Sequence, residues 1–499
     1  MAGSGQPSGE LNRSLLQLRY QLMTIKRDTE SRLTKLFYGV GAVAYGVKDG
    51  GFSYFLLLYY NQVLGLPQQW VGAGIFVALL VDAVSDPLVG SLSDNCRSRW
   101  GRRHPFMYAS LLPVAISYFL LWNPPENLSD GLLFAWFLVM AIMVRLFITL
   151  YEVPSSSLVA ELTDDYHQRT TFLSYRHFFG WWGGLAMSVI AYAVFLVPTE
   201  EQAIGVLNKE GYSTYGLVAS VVMFLAVLAS SLGTHRHIPR LHKPPVRHLP
   251  GLGSVLRETL DTLKNKSFLA LFIASVFGAM AAGLSASMNI YVSSFYWEFN
   301  NKQLSLISLS LFGSALLAFY VAPFASRRLG KKYAAITIGF LAASIGVSPY
   351  LLRSVELFPL NNTPELFYTI LIMNFVDIML IVSQAILVDS MIADVVEESE
   401  LRTGRRSEGV FFAARSLVRK SVSGMGVLMT TTLLTLVQFP ENAVPGEVEP
   451  QIIFNLGLLF APTLFVFYIL MLVVMFAYRI SQSDHEANVE RLAQREATS

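Results

Sequence analysis

Residues 81–90 read VDAVSDPLVG and lie inside an apolar run, residues 70–92, that is long enough to cross a bilayer. Asp82 and Asp86 are four residues apart, so they share one face of a helix and lie one turn from each other. Carboxylates that face lipid are costly, so we expect these two to face protein, water or a bound cation. The stretch predicts a membrane-spanning helix whose two aspartates are candidate ligands of a coupling cation.

The whole chain has the composition of a polytopic membrane protein. Of its 499 residues, 53% are hydrophobic and 14% are charged, whereas a soluble domain carries about 25% charged residues. The single cysteine, Cys96, excludes a disulfide framework and a cysteine-based metal site. Residues 1–32 contain no apolar core and no cleavage-site pattern, so we expect a cytoplasmic tail and no signal peptide.

Twelve apolar stretches reach spanning length, six on each side of a basic segment with four prolines. We therefore predict an all-α membrane protein of two six-helix halves, residues 36–234 and 267–478. A cytoplasmic linker, residues 235–266, joins them, and residues 1–35 and 479–499 are predicted to form tails. The predicted spans are 36–63, 68–93, 105–122, 131–160, 170–196, 214–234, 267–294, 303–325, 332–353, 364–393, 408–437 and 452–478.

The positive charges of the loops predict the orientation. The loops after spans 2, 4, 6, 8 and 10 are rich in arginine and lysine, whereas the alternate loops hold only Lys209, Lys302 and Arg353. Positively charged loops stay on the cytoplasmic side, so both termini are predicted to be cytoplasmic. We expect a multi-pass protein of the plasma membrane, in a bacterium the inner membrane.

Two loop motifs of the first half recur in the second. Residues 158–170 match residues 391–403 without a gap, 233 residues later, and residues 99–103 match residues 328–332. Each pair follows spans of equal rank, so the halves keep the same orientation. Parallel repeats of this kind are the arrangement of major facilitator transporters.

The repeated loops also predict a gate on the cytoplasmic side. Their basic and acidic side chains are expected to pair when that side is closed. The basic members are Arg102, Arg103, Lys331 and Lys332, and the acidic ones are Glu161, Asp164, Asp394 and Glu397.

Span 1 carries polar residues near its middle. Tyr45, Lys48 and Asp49 lie about 18 Å along the helix, which is close to the bilayer centre. Lys48 and Asp49 are adjacent and point about 100° apart, so we do not expect them to pair well with each other. Two roles are compatible with this group: its residues bind a ligand, or they neutralise charges elsewhere in the bundle.

Span 4 places Arg145, Thr149 and Glu152 on one stripe of a helix. We expect Thr149 and Glu152 to face the cavity beside the two aspartates of span 2, and Arg145 to serve packing. Carboxylate and hydroxyl oxygens are the ligands that a hard cation such as sodium prefers.

Three residues of the later spans are further candidates. Lys420 lies about twelve residues into span 11 and cannot reach either surface easily, so it needs an acidic partner. An ammonium that competes with a cation for the same carboxylates would couple ion occupancy to conformation. For Arg176 in span 5 and Asp377 in span 10, packing and ligand binding both remain open.

The sequence contains no phosphate-binding loop, no Ser-His-Asp order and no metal-ligating histidine pair. We therefore expect no enzymatic activity, no cofactor apart from a coupling ion, and no nucleic-acid partner.

The motifs resemble the glycoside–pentoside–hexuronide:cation symporter family, which includes melibiose permease. The resemblance covers residues 36–478. A more distant likeness to the lysophosphatidylcholine symporter lies around residues 45–47 and 420–424. The most specific matches are residues 82–90, 97–105, 152–154 and 390–394, together with Lys420.

The resemblance implies roles for individual residues. It implies that Glu152 stands where the sugar permease has an aspartate that contacts sugar, and that Arg176 corresponds to the permease's arginine in span 5. Lys420 corresponds to the lysine near the cation site. The family's sugar-side tryptophans fall on Ser156 and Ala385 here. The implied cation-binding residues are Asp82, Ser85, Asp86 and Thr149, of which Asp82 and Asp86 would bind sodium.

These observations predict a symporter that moves an organic solute with sodium or a proton by alternating access. The expected solute is a sugar or glycoside, with a lysophospholipid or other amphiphile as the alternative. We expect a functional monomer surrounded by membrane lipids. The candidate substrate-binding residues are Tyr45, Lys48, Asp49, Glu152, Arg176 and Lys420.

Overall fold

A computed structural model describes most of the chain. The residues outside the description include most of both predicted tails and of the linker. Side chains are not described at residues 160, 161, 166, 167, 169, 170, 393, 396, 397, 399, 400, 402, 403 and 408–421. The described residues are 32–163, 166–200, 202, 204–240, 265–403, 408–441, 443–480 and 491.

The described residues form helices joined by short loops, with no strand among them. We label the helical runs in chain order. They are α1 (residues 32–63), α2 (Gln68–Asn95), α3 (His104–Trp122), α4 (Asp130–Leu162), α5 (Tyr166–Ile190, continued by a π-helical turn, Ala191–Phe195), α6 (Lys209–His235), α7 (Lys266–Tyr291, continued by a π-helical turn, Val292–Tyr296), α8 and α9 (the two arms of Asn301–Ser354), α10 (Pro364–Thr403), α11 (Glu408–Leu436) and α12 (Pro450–Met475).

The run α1 is irregular. It consists of the α-helical pieces Arg32–Val40, Ala42–Gly50 and Leu56–Leu58, with π-helical segments at Gly51–Phe55 and Tyr59–Val63. A Cβ atom at Gly51 would lie 2.2 Å from the hydroxyl of Tyr118, so only glycine allows α1 to approach α3 this closely. Segments with π geometry occur mostly at functional sites, and this one directly follows the predicted polar group of span 1.

Asn301–Ser354 changes direction at a single residue. Gly330 has φ 74° and ψ 156°, which lies outside the helical region and which side chains other than that of glycine rarely adopt. The predicted loop between spans 8 and 9 is therefore largely helical, and α10 continues to Thr403, beyond its predicted end at residue 393. Hydropathy detects only the apolar part of a helix, which explains these differences.

Asparagine caps explain why other helices begin before their predicted apolar windows. Asn208 caps α6, Asn265 accepts hydrogen bonds from two backbone amides of α7, and Asn300 forms a capping box with Gln303 at the start of α8. Such caps satisfy backbone donors that have no partner inside the helix.

Nine of the described helices are long and apolar enough to cross a membrane. Asn301–Ser354 counts once among them although it has two arms, and α1 is divided by its π-helical segments. Of the 29 residues of α11, only the apolar part Val422–Leu436 has described side chains, so α11 is not among the nine. An all-α membrane fold is confirmed, whereas the number of twelve crossings stays a prediction.

Helix packing follows the sequence repeat. In the first half α1 packs against α5 and α6, and in the second half α7 packs against α11 and α12. The pair α2 and α4 likewise corresponds to the packing of Asn301–Ser354 against α10. Between the halves, α1 contacts α7, α2 contacts α11, and α5 contacts Asn301–Ser354. The site described next lies along the first two of these contacts.

The bundle has two ends. We call the end that carries residues 235–240 and the start of α7 the linker end, and the opposite one the distal end. At the distal end, Gln62 Nε2 donates to the Pro440 carbonyl at 3.2 Å, and Tyr291 Oη donates to Asn61 Oδ1 at 2.9 Å. Gln68 also donates to Thr435 Oγ1 at 3.0 Å. The halves are therefore joined at the distal end in this structure.

Candidate functional site

The aspartates of α2 meet the polar stripe of α4. Thr149 Oγ1 lies 3.0 Å from Asp82 Oδ1 and 3.1 Å from Asp86 Oδ1. Arg145 Nη1 donates to Asp82 Oδ2 at 3.0 Å. The sequence analysis predicted that Asp82, Asp86 and Thr149 lie together, and the structure places them so. It did not predict the ion pair of Arg145 with Asp82.

Close packing of α2 on α4 holds this cluster. Phe137 lies 2.3 Å from the position that a Cβ atom of Gly74 would occupy, so the small residue allows the helices to approach. Proline follows the polar residues on both helices, at Pro87 and Pro154. Each proline removes one intrahelical hydrogen bond, an interruption that neighbouring polar groups can compensate in a membrane.

The cluster has the oxygen chemistry of a site for a hard monovalent cation. A threonine hydroxyl carries one proton, so Thr149 cannot donate fully to Asp82 and Asp86 at the same time. A cation that bound both carboxylates could use the lone pairs of this hydroxyl instead. Ser85 is buried beside them, and its hydroxyl donates to the Asp82 backbone carbonyl at 3.1 Å.

The polar group of span 1 lies nearby, and one expectation about it was wrong. Lys48 Nζ lies 2.7 Å from Asp49 Oδ1, although the two Cα–Cβ directions diverge. The long, flexible lysine side chain bends back to its neighbour, which an argument from Cβ directions neglects. Lys48 is almost fully buried, whereas the Asp49 side chain is 61% exposed.

A cavity of about 220 Å³ opens onto this group between the two halves. The N-terminal half supplies its charged wall, and the C-terminal half supplies small and apolar residues. The sequence analysis missed that second wall, which the small residues at 281–283 and 285–287 could have indicated. The lining residues are Lys48, Asp49, Phe52, Ser53, Leu57, Ile75, Leu79, Asp82, Arg145, Glu152, Gly283, Ala286, Ser287, Ser423 and Val427.

Tyr45 and Arg176 lie behind the cavity wall. Arg176 donates to Ser155 Oγ at 2.9 Å and to the Glu152 backbone carbonyl at 3.1 Å. Its guanidinium lies 5.0 Å from the centroid of the Tyr45 ring, and Tyr45 Oη donates to the Arg176 carbonyl at 3.4 Å. The two residues connect α1, α4 and α5 and hold the backbone that carries Glu152. Direct contact with a substrate stays a prediction for both.

Lys420 lies on α11, but its side chain is outside the described part of the structure. Ser423 follows it by three residues, which is one turn on the same helix face, and Ser423 lines the cavity. The backbone therefore places Lys420 next to the cavity on the side of the linker end. Its ion pair with the aspartates stays a prediction.

Three of the predicted gate residues, Lys331, Lys332 and Asp394, have described contacts at the linker end. Lys331 Nζ lies 2.5 Å from Asp394 Oδ1, whereas Lys332 donates to the carbonyls of Phe476 and Tyr478. Both residues belong to the C-terminal half, so this pair does not connect the halves, and its role in a gate stays a prediction. Lys332 contacts the end of α12 instead, because carbonyls at a helix C-terminus attract cations.

The other predicted gate residues are described only in part. Arg103 contacts Asp94 Oδ1 at 2.5 Å and donates to Ser93 Oγ at 2.7 Å. Arg102 is partly buried in the turn before α3. The side chains of Glu161 and Glu397, and all of Asp164, lie outside the description.

Within the described ranges, nine membrane-length helices pack in two corresponding halves around a polar cavity, which is the arrangement of secondary transporters of the major facilitator type. The chain belongs to the family described as MFS/sugar transport protein, whose sequence profile matches residues 37–482. The recognition of this class from the sequence motifs is thereby confirmed.

Several curated relatives are similar over most of their length. An uncharacterized symporter of Synechocystis sp. is 26% identical, over 84% of this chain and 88% of its own. The isoprimeverose transporter of Lactiplantibacillus pentosus is 25% identical, over 78% and 77%. The sodium-dependent lysophosphatidylcholine symporter 1 of Gallus gallus is 26% identical, over 85% and 83%.

Solved structures agree in fold. A bacterial homologue of the human lysosomal transporter Spinster, inward-facing and unoccupied, has a TM-score of 0.61 at 14% identity and covers 89% of this chain and 95% of its own. The xylose transporter XylE from E. coli has a TM-score of 0.56 at 15% identity, covering 90% and 99%.

Proposed function

We propose that the protein is a symporter that couples an organic solute to sodium or a proton by alternating access. The observation that supports this most directly is the contact of Thr149 with both Asp82 and Asp86. Of these three residues, Asp82 lines the cavity between the halves. We propose further that both termini are cytoplasmic and that the linker end faces the cytoplasm, as the positive charges of its loops indicate.

The cluster can couple the ion to conformation through charge. The carboxylates of Asp82 and Asp86 lie between α2 and α4, and the guanidinium of Arg145 contacts Asp82. Closing the halves removes these carboxylates from water, which is costly because charges inside a membrane protein must be paired or solvated. A cation bound between Asp82 and Asp86 lowers that cost, and so favours the occluded state.

The solute site is proposed to be the cavity wall beyond the cation. The Asp49 and Glu152 carboxylates line it and can accept hydrogen bonds from sugar hydroxyls, and the ring of Phe52 provides an apolar face. Its volume of about 220 Å³ suits a small solute better than a long acyl chain. The isoprimeverose transporter among the relatives supports a glycoside as well.

A lysophospholipid is the second candidate, because lysophosphatidylcholine symporters of chicken and mouse are 26% and 24% identical to the chain. The two candidates differ in what the site needs. A glycoside requires converging polar groups, whereas an acyl chain requires an apolar extension towards the lipid.

A ligand screen followed by transport measurements tests the proposal. The thermal unfolding of the purified protein would be measured with mono- and disaccharides, glycosides and lysophospholipids, each with and without sodium and at two pH values. A ligand that binds the folded state raises the unfolding temperature. The proposal predicts stabilisation by a glycoside that the coupling ion enhances.

The ligand would then be tested for uptake into proteoliposomes with an imposed ion gradient. Accumulation against its own gradient supports a symporter. Stabilisation by lysophospholipid alone would favour the second candidate, and uptake that is indifferent to sodium and to pH gradients would contradict symport.

A further inference from the structure

A second cavity, of about 100 Å³, lies wholly inside the C-terminal half and is separate from the site between the halves. It is surrounded by α7, α9, α10 and α12, and one carboxylate, Asp377 of α10, points towards it. Gly346 makes room for this carboxylate, since a Cβ atom there would lie 3.2 Å from Asp377 Oδ2.

Two side chains at this cavity, Asp377 and Asn374, carry oxygen atoms without a partner among the described residues. Among the described residues, no hydrogen bond or ion pair reaches the carboxylate of Asp377. Asn374 lies on the same face of α10, one turn earlier, and its Oδ1 atom is buried without a hydrogen-bond donor. Two acceptors in one buried cavity are costly unless a donor or a cation satisfies them.

Aromatic rings form much of the remaining wall. Trp297, Tyr350, Phe460 and Tyr468 line the cavity. The rings of Tyr350 and Phe460 are 5.4 Å apart at 79°, and those of Trp297 and Tyr350 are 5.5 Å apart. Aromatic faces together with a carboxylate are the surroundings that bind ammonium groups in proteins.

The corresponding place in the N-terminal half is filled. There, α1, α3 and α6 stand where α7, α9 and α12 stand in the C-terminal half. Trp122 and Tyr212 stack at 5.8 Å, and Tyr59 packs on Tyr212 at 4.7 Å. All three rings are buried. These three aromatic residues therefore pack on one another in the N-terminal half, whereas the aromatic residues around Asp377 line a cavity.

The charged side chain at the rim of this region does not neutralise Asp377. Arg353 donates to Asn361 Oδ1 at 2.6 Å and to the Tyr296 carbonyl. Its guanidinium lies over the rings of Tyr296 and Trp297. No ion pair connects it to Asp377 among the described contacts.

We propose that this cavity binds a monovalent ammonium group, with Asp377 as the counter-charge, Asn374 as a polar contact and the aromatic rings as the wall. The volume suits a methylated amine or a quaternary ammonium head group. The site is independent of the cation cluster on α2 and α4.

Binding of labelled tetramethylammonium to the protein in lipid nanodiscs tests this, with methylammonium and sodium as competitors. Saturable binding that Asp377→Asn weakens about tenfold or more is expected, because the variant removes the counter-charge. Glu365→Gln is the matched control, since it makes the same change on an exposed residue of the same helix. It should bind like the parent.

Three further variants keep the test independent of folding defects. Tyr468→Phe retains the aromatic face and should keep most of the binding, whereas Tyr468→Leu should lose it. Asp82→Asn should leave tetramethylammonium binding unchanged. The proposal would be overturned if the parent showed no saturable binding, or if Asp377→Asn and Glu365→Gln bound equally well. Competition by sodium but not by methylammonium would overturn it too.

Discussion

Replacing Arg145 with methionine isolates the charge balance of the cation cluster. The ion pair of Arg145 with Asp82 spans 3.0 Å, and the side chains are 6% and 1% exposed. Removing one member of such a pair costs about 3–5 kcal/mol. Arg145 Nε is itself buried without an acceptor, and removing that unsatisfied donor regains about 1–2 kcal/mol. We therefore expect Arg145→Met to lower the free energy of unfolding by about 1–4 kcal/mol.

The coupling ion should restore most of this loss. A cation bound to Asp82 and Asp86 compensates the missing guanidinium, and a ligand at a hundred times its dissociation constant stabilises by about 2.7 kcal/mol. Unfolding would be followed by tryptophan fluorescence, with sodium or at lower pH. Arg353→Met is the control, because Arg353 forms no described ion pair. It should respond to the ion like the parent.

The reasoning would be refuted if Arg145→Met cost less than about 1 kcal/mol, below the range for a broken buried pair. It would be refuted equally if neither sodium nor lower pH stabilised the variant more than the parent.

Three further changes test other contacts. Thr149→Val removes the hydroxyl between the carboxylates and should weaken the apparent affinity for the coupling ion about tenfold in uptake assays, whereas Thr149→Ser should retain the affinity. Equal affinities of the two variants would contradict a ligand role for Thr149. Lys420→Ala should still exchange solute in counterflow but fail to accumulate it, and Lys420→Arg should couple the ion to solute uptake poorly as well. Normal accumulation by Lys420→Ala would exclude a coupling role. Lys331→Asp and Asp394→Lys should each slow transport. If the ion pair of these residues forms in the transport cycle, the double variant should recover part of the transport rate, and no recovery would argue against a gating pair.

The sequence predicted the fold class and the grouping of Asp82, Asp86 and Thr149 well, because both depend on strong physical penalties. That this group binds a cation stays a prediction. Carboxylates cannot face lipid, so Asp82 and Asp86 had to meet polar groups on a neighbouring helix, and the stripe of α4 provided them. The repeated loops likewise indicated two corresponding halves, which the helix packing shows.

Details that depend on side-chain flexibility or local backbone geometry could not be predicted in this way. The contact between Lys48 and Asp49 depends on the rotamer of a long side chain. The π-helical segments of α1 leave no trace in a hydropathy pattern. The aromatic cavity around Asp377 brings together four helices that are distant in sequence, so spacing along one helix gives no indication of it.

The central claim is that Asp82 and Asp86 bind the coupling ion, and ion-driven uptake by Asp86→Asn tests it most directly. Parent and variant would be reconstituted in equal amounts, with counterflow exchange as the control for insertion and solute binding. The account predicts that Asp86→Asn exchanges solute but no longer accumulates it under an ion gradient. Accumulation at the level of the parent would contradict the claim.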